Sequence, residues 1–356
     1  MEIINELTSL LPLEAPFFID RVEKDEAGSQ VHIYLGVDKT YRPTTEHTLH
    51  SYYERTWEHL KLFQYRCFLH ARVPIFEHKK SKRRQALEVP FARDNARFTL
   101  LFEAHVMDLM RLHHCFATVA CSLGIYAQRV EHIYHQYTQE AYEGHTITPC
   151  KRIGVDETST RRGHDYITVF VDLDTHEPLF VEPGRDGQAF KRFFEAHPNP
   201  AVIREVSMDM SPAFIQAARA YLPWCGITFD KWHVFRLFDR HLEQACSAVR
   251  AQAFEHLHAF YEALDREQGQ AHLAFLADYI EDALGKNSLS PSIRRHFDGL
   301  VNYVRSRLTN GVLEGINNKI QMIKRVARGF RKTEHLMKMI WFVFGSFQPT
   351  TPSRII

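Results

Sequence analysis

Apolar and polar positions change their period twice along the 356-residue chain. QVHIYLGV (30–37) and YRCFLHARVPIF (65–76) alternate with the period of two expected of strands. The run HKKSKRR (78–84) bounds the second and reads equally as a solvated loop or a phosphate contact. From Arg97 the period becomes helical. FTLLFEAHVMDLMRLH (98–113) carries apolar residues at helical spacing. CFATVACSLGIYAQRVEHIYHQY (115–137) predicts a helix from Ala117 to Leu123, a turn at Gly124 and a second helix from Tyr126. That is a helix-turn-helix pattern, although helical hairpins without DNA share it.

After Pro149 the pattern is mixed. RIGVDE (152–157), DYITVFVDL (165–173), EPLFVE (177–182), AVIREVSMD (201–209) and GITFD (226–230) predict strands. Helices are expected at GQAFKRFFEAH (187–197), at Ser211-Pro212 as cap and first helical residue, and from His233. Three antiparallel strands followed by alternating helices and strands is the ribonuclease-H-like order, not a doubly wound one. Residues 240–300 read as an inserted helical region, GKNSLSP (285–291) as a turn, and the last ordered helix begins near Val312. The tail QPTTPSRII is expected to fray. The expected architecture is therefore α/β. A small β-rich N-terminal unit (1–95) and a helix-turn-helix domain (96–145) precede a ribonuclease-H-like catalytic domain (150–345) with a helical insertion at about 240–300.

Composition changes this picture little. With 45% hydrophobic residues the chain can bury a core, and a net charge of +1 means that any nucleic-acid contact must rest on local patches. No apolar run is long enough to span a membrane, and the acidic start MEIINELTSLLPLEAPFF lacks the basic region of a signal peptide. The six cysteines are scattered, with no Cys-x-x-Cys pair, which fits reduced thiols and a cytoplasmic location.

The candidate chemistry lies in carboxylates. Asp156 ends the first strand of the catalytic region and Asp209 the fourth. Those strands are neighbours in a ribonuclease-H-like sheet. Like charges side by side repel unless a cation lies between them, and magnesium suits such a pair. Each Asp is also an ordinary turn residue at a strand end, and Glu157, Asp172 and Asp174 are nearby acids. Leu313, Ile316, Ile320, Ile323, Ala327 and Phe330 form an apolar helical stripe. Glu314 falls on another face with Asn318, Gln321, Arg325 and Arg328. In the first helical turn it either interacts with the helix dipole or completes a three-carboxylate site.

IGVDETSTRRGHDYITVFVDLD, VSMDMSPAF, DKWHVFRLF and LEGINNKIQMIKRVARGFR, taken in order, resemble the ISL3 family of bacterial insertion-sequence transposases over about residues 95–345. The resemblance implies DDE chemistry, with Asp156, Asp209 and Glu314 holding two divalent metal ions, Mg2+ or Mn2+. Asp230 and His233 of DKWH would support the site. Asn318, Lys319, Lys324, Arg325 and Arg328 would hold phosphates, and Tyr126, Gln128 and Arg129 would approach the DNA groove. The family's N-terminal Cys-x-x-Cys zinc unit has no counterpart in residues 37–62. Cys67 and His78 do not make a ligand set, so no structural zinc is expected.

The implied function is terminal-repeat binding followed by metal-dependent strand cleavage and transfer. It would act on double-stranded DNA (transposon ends and target), as a homo-oligomer, at the bacterial nucleoid and away from membranes. A catalytically silent regulator derived from a transposase and another ribonuclease-H-like nuclease are the alternatives. A small-molecule hydrolase is disfavoured by the basic helix after Glu314.

Overall fold

The computed structural model describes residue 11 and residues 13–144, 146–160, 165–285, 288–330 and 332–344. The tail expected to fray lies outside them. The chain forms two compact units, divided after Gln139. No helix among the described residues is long and apolar enough to cross a membrane.

In the first unit, β1 (Phe17–Asp25), β2 (Gln30–Val37), β3 (His47–Leu62) and β4 (Tyr65–His78) form a sheet of order β1-β2-β4-β3, with β5 (Arg84–Ala86) paired to β4. One face buries Val31, Ile33 and Leu35 of β2 against Trp57, Leu69 and Ala71. β2 and β4 match the alternation read from the sequence, whereas β1 and the long β3 were not anticipated. Cys67 is buried in β4, and His78 Nε2 lies 3.0 Å from Glu46. Three helices follow: α1 (Leu100–His113), α2 (Phe116–Leu123) and α3 (Ala127–Glu143). Thr99 caps α1 by accepting from the Phe102 amide. Gly124 ends α2 at φ 72°, a conformation that favours glycine.

The second unit is built on β6 (Arg152–Ser159), β7 (Tyr166–Asp172), β8 (Pro178–Pro183), β9 (Glu205–Met208) and β10 (Gly226–Phe229), in the order β10-β9-β6-β7-β8. β6, β7 and β8 are antiparallel; β9 runs parallel to β6, and β10 parallel to β9. α4 (Gly187–Ala196) and α5 (Pro212–Tyr221) pack on each other. α6 (Lys231–His241) leaves β10, and α7 (Ser247–Glu262), α8 (Arg266–Leu284), α9 (Ser290–Arg295) and α10 (Phe297–Ser306) fill the region expected to be helical. α10 is not merely inserted, because it returns to the sheet: Asn302 Nδ2 donates to the Ile227 carbonyl of β10 at 2.9 Å.

α11 (Gly311–Val326) carries the predicted apolar stripe, with Leu313, Ile316, Ile320 and Ile323 buried. It is not the last helix, since α12 (Thr333–Phe344) follows and buries Leu336, Ile340 and Trp341. The strand expected from Ala201 starts only at Glu205, because Pro200–Val202 form a 3-10 turn.

Candidate active site and nucleic-acid interface

Asp156 stands inside β6, not at its end, because pairing with β7 continues to Ser159↔Tyr166. The parallel registers set the site. β6 pairs with β9 through Gly154↔Ser207, and β9 pairs with β10 through Met208↔Phe229. Two residues further along the first register, Asp209 comes beside Asp156. One residue along the second, Asp230 comes beside Asp209. Asp156 within β6, and Asp209 and Asp230 just past the ends of β9 and β10, thus line up along one end of the sheet. Asp172 and Asp174 belong to the opposite end of β6: Asp172 pairs with Ile153, and Asp174 ion-pairs with Arg152.

The row is held by backbone and helix starts. Asp209 Oδ1 accepts from the Ser211 amide at 2.9 Å, at the start of α5, where the Ser211 side chain makes no capping bond. Asp230 is the N-cap of α6 and accepts from the His233 amide. Its other oxygen accepts from the Asn310 amide at 3.2 Å, just before α11, and Asn310 Oδ1 takes a bond from Ser207 Oγ at 2.6 Å.

α11 lies along β6. A Cβ at Gly154 would meet Leu313 Cδ1 at 2.6 Å and Leu173 Cδ2 at 2.8 Å, so glycine is what permits this close approach. Further along, Asn317 Nδ2 donates to Asp156 Oδ2 at 2.7 Å, Gln321 Nε2 to Thr158 Oγ1 at 2.8 Å, and Lys324 Nζ to the Ser159 carbonyl at 2.6 Å. Glu314 sits one turn before Asn317, in the first turn of α11. It is exposed, and its carboxylate makes no hydrogen bond or ion pair among the described residues.

Burial pushes the Asp156 carboxyl up to about 6; the Glu157 amide and His233 pull it down, while Asp209 and Asp230 push it further up. Glu157 is raised to about 7, by burial and then by Asp209, with Arg185 opposing. Burial alone would lower His233, but its contact with Asp230 (Nδ1 to Oδ2, 3.1 Å) and the field of Asp156 outweigh this and raise it. The neighbouring acids therefore hold His233 toward its protonated form. Beside Asp209 and His233 opens a cleft of about 310 Å³, also lined by Arg236 and Arg240. These arginines follow His233 by three and seven residues, one face of α6. Sequence reasoning passed over them; that spacing was the available signal.

A family model described as a transposase matches residues 153–253 and 245–340, more than half of the chain. The chain belongs to this transposase family, ISL3. A second model, the helix-turn-helix domain of transposase family ISL3, matches residues 87–138. Among relatives, the chain is similar to the transposase for insertion sequence element IS1001 of Bordetella parapertussis, 25% identical over 248 residues; the match takes in 54% of this chain and 60% of that protein. It is also similar to the transposase for IS1557 of Mycobacterium tuberculosis strain H37Rv, 24% identical over 374 residues and covering 84% of each chain. The chain thus spans less than two thirds of the first relative's length.

In this ISL3-family chain the expected nucleic-acid contacts fall into three groups. Asn318, Lys319, Arg325 and Arg328 are exposed on or just after α11, with Lys319 Nζ 4.6 Å from the Phe344 ring centre. Lys324 is half-buried, and its ammonium also bonds Gln321 Oε1 at 2.8 Å, so it fastens α11 to β6. Tyr126 and Gln128 are exposed at the start of the second helix of the helix-turn-helix, and the Arg129 guanidinium lies within cation–π reach of the Phe98 and Tyr126 rings.

Proposed function

We propose that this ISL3-family protein is a DDE transposase that binds the terminal repeats of its insertion sequence and cuts and joins DNA strands. The observation that carries the reading is the parallel pairing of β6 with β9, whose register, continued two residues past Gly154↔Ser207, sets Asp209 opposite Asp156, where its field raises the Asp156 carboxyl. Counted from β6, three antiparallel strands and two parallel ones in the order 3-2-1-4-5 support a ribonuclease-H-like catalytic domain over residues 150–345. The β-rich unit (1–95) and the helix-turn-helix (96–145) would be separate domains before it.

The acids are of the kind that a pair of hard divalent cations would take. Asp156 is half-buried in the field of Asp209, the Glu314 carboxylate makes no hydrogen bond or ion pair among the described residues, and oxygen ligands suit Mg2+ or Mn2+. Asp156, Asp209 and Glu314 would hold the ions, which supply charge stabilisation to an in-line displacement at phosphorus. The chain's own residues prepare that site. Asn317 orients Asp156 through its amide. Asp230 fixes the starts of α6 and α11, and His233 offsets the acids. Arg236 and Arg240 receive phosphate in the adjoining cleft, while Asn318, Lys319, Arg325 and Arg328 hold more distant backbone. Lys324 serves the packing of α11 instead. The reaction is hydrolysis of a phosphodiester followed by transesterification, and no Ser or Tyr nucleophile is needed. Tyr126, Gln128 and Arg129 would approach the terminal repeats. Joining two ends in one complex calls for a homo-oligomer, acting on the bacterial nucleoid in the cytoplasm.

The test is incubation of the full chain with duplex DNA carrying the sequences that flank its gene, with and without Mg2+ or Mn2+. Cuts at defined ends that require the cation are expected. Sequence-specific binding with no cutting under either cation would overturn the catalytic reading in favour of a silent regulator.

A further inference from the structure

Just before the helix-turn-helix, residues 93–98 form a loop over the face of α3. Between them lies a cleft of about 360 Å³. One wall is the loop, with Asp94, Asn95 and Arg97; the other is α3, with Gln128, Arg129 and His132. Gln128 and His132 are four residues apart and share a helix face, the face that starts with residues expected to approach bases.

The loop is braced. Arg93 grips the buried Glu103 of α1 with two bonds, Nε to Oε2 at 2.7 Å and Nη2 to Oε1 at 2.8 Å, and Tyr137 of α3 donates to the same carboxylate at 2.7 Å. The Arg97 carbonyl accepts from the Glu58 amide of β3 at 2.9 Å, and the Ala96 carbonyl accepts from Arg55 at 2.7 Å. Backbone and neighbours thus hold the loop, while the Arg97 side chain is exposed and makes no ion pair among the described residues.

The charges are arranged for an anion. Arg93 and Glu103 neutralise each other. Two guanidinium groups without an ion pair among the described residues, Arg97 and Arg129, then share the cleft with one such carboxylate, Asp94. The Arg129 guanidinium carbon lies 5.9 Å from the Phe98 ring centre and 5.6 Å from the Tyr126 ring centre, within cation–π reach of both. The whole lining, residues 93–136, lies inside the matched helix-turn-helix domain. We propose that this cleft clamps a backbone phosphate of duplex DNA, with Arg97 and Arg129 as its donors, beside the groove that α3 enters. This rests on the reading of α3 as the DNA-facing helix. It extends the interface to a loop outside the two helices and gives Arg97 a role independent of sequence.

The test is equilibrium binding of the full chain, with divalent cations withheld, to two labelled duplexes: one with the sequence flanking the gene and a scrambled one of equal length. Salt is varied from about 50 to 200 mM. For Arg97→Gln, the slope of log affinity against log salt should become shallower by about 1 on both duplexes, with their affinity ratio unchanged. Asp94→Asn should tighten binding to both. An Arg97→Gln slope equal to wild type, or a loss confined to one duplex, would overturn the clamp. Should the wild type fail to discriminate between the duplexes, the terminal-repeat reading fails, while the slope still decides the clamp. No binding to either duplex would overturn both.

Discussion

Asn317 Nδ2 donates to Asp156 Oδ2 at 2.7 Å, joining the helix that carries Glu314 to the strand that carries the first aspartate. Among the described residues the buried Asn317 Oδ1 has no partner, and the amide's bond goes to the site. Such a contact fixes the direction of a carboxylate that must receive a cation. Asn317→Ala should lower the strand-cleavage rate about 10–100-fold, with a stability loss of only about 1 kcal/mol. Cleavage kinetics beside a urea titration separates the two. Wild-type cleavage by the alanine variant would reduce the contact to packing.

Burial of Asp156, reinforced by Asp209 and Asp230, costs the metal-free protein stability. The ordinary carboxyl value of 3.8 for Asp156 rises to about 6 in the fold. An acid raised on folding binds its proton more tightly in the native state. Stability therefore falls as pH rises from about 3.8 to about 6 and stays reduced above that. Asp156→Asn removes the charge and keeps an oxygen for the Glu157 amide. Without divalent cations at pH 7 it should be more stable than wild type by about 1–2 kcal/mol while losing cleavage. A denaturation midpoint below that of wild type would contradict this.

Asp230 acts through two helix starts. Asp230→Ala strands the His233 and Asn310 amides, and should cost roughly 2–3 kcal/mol. Asp230→Asn retains an acceptor and should cost about 1 kcal/mol or less. Thermal unfolding of both variants checks the order. Equal losses would mean that the charge, rather than the cap, is what matters.

Much of this was legible in the residues. The strand order from RIGVDE to GITFD placed Asp156 and Asp209 on neighbouring strands, and the apolar stripe of α11 put its polar face beside them. β3 was missed because it lies at the sheet's edge beside β4 and none of its residues up to Thr56 is buried, so its sequence shows no apolar–polar alternation there. Asn317 was missed because it stands beside Asn318 and looks equivalent. The distinguishing sign was its place four residues after Leu313 and seven before Lys324, on the border of the stripe. The row that includes Asp230 depends on strand register, which one sequence does not state.

In the first unit, burial lowers His59 from 6.5 to about 4; its Nδ1 lies 2.8 Å from Thr99 Oγ1, the cap of α1. A histidine held neutral in the native state charges more readily when unfolded. Stability should be level above pH about 6.5 and fall as pH drops toward about 4. His59→Gln should flatten that slope. Amide exchange in β3 across the pH range reads it directly, and an unchanged slope in the variant would assign the acid sensitivity elsewhere.

The central claim is that Glu314 completes the site begun by Asp156 and Asp209. The most direct measurement is cation-dependent cleavage of the gene-flanking duplex by Glu314→Gln beside wild type, with DNA binding measured in parallel. Glu314 is exposed and makes no hydrogen bond or ion pair among the described residues, so the amide should leave folding and binding intact. The expected result is loss of cleavage with binding retained. Cleavage at the wild-type rate would contradict the three-carboxylate site.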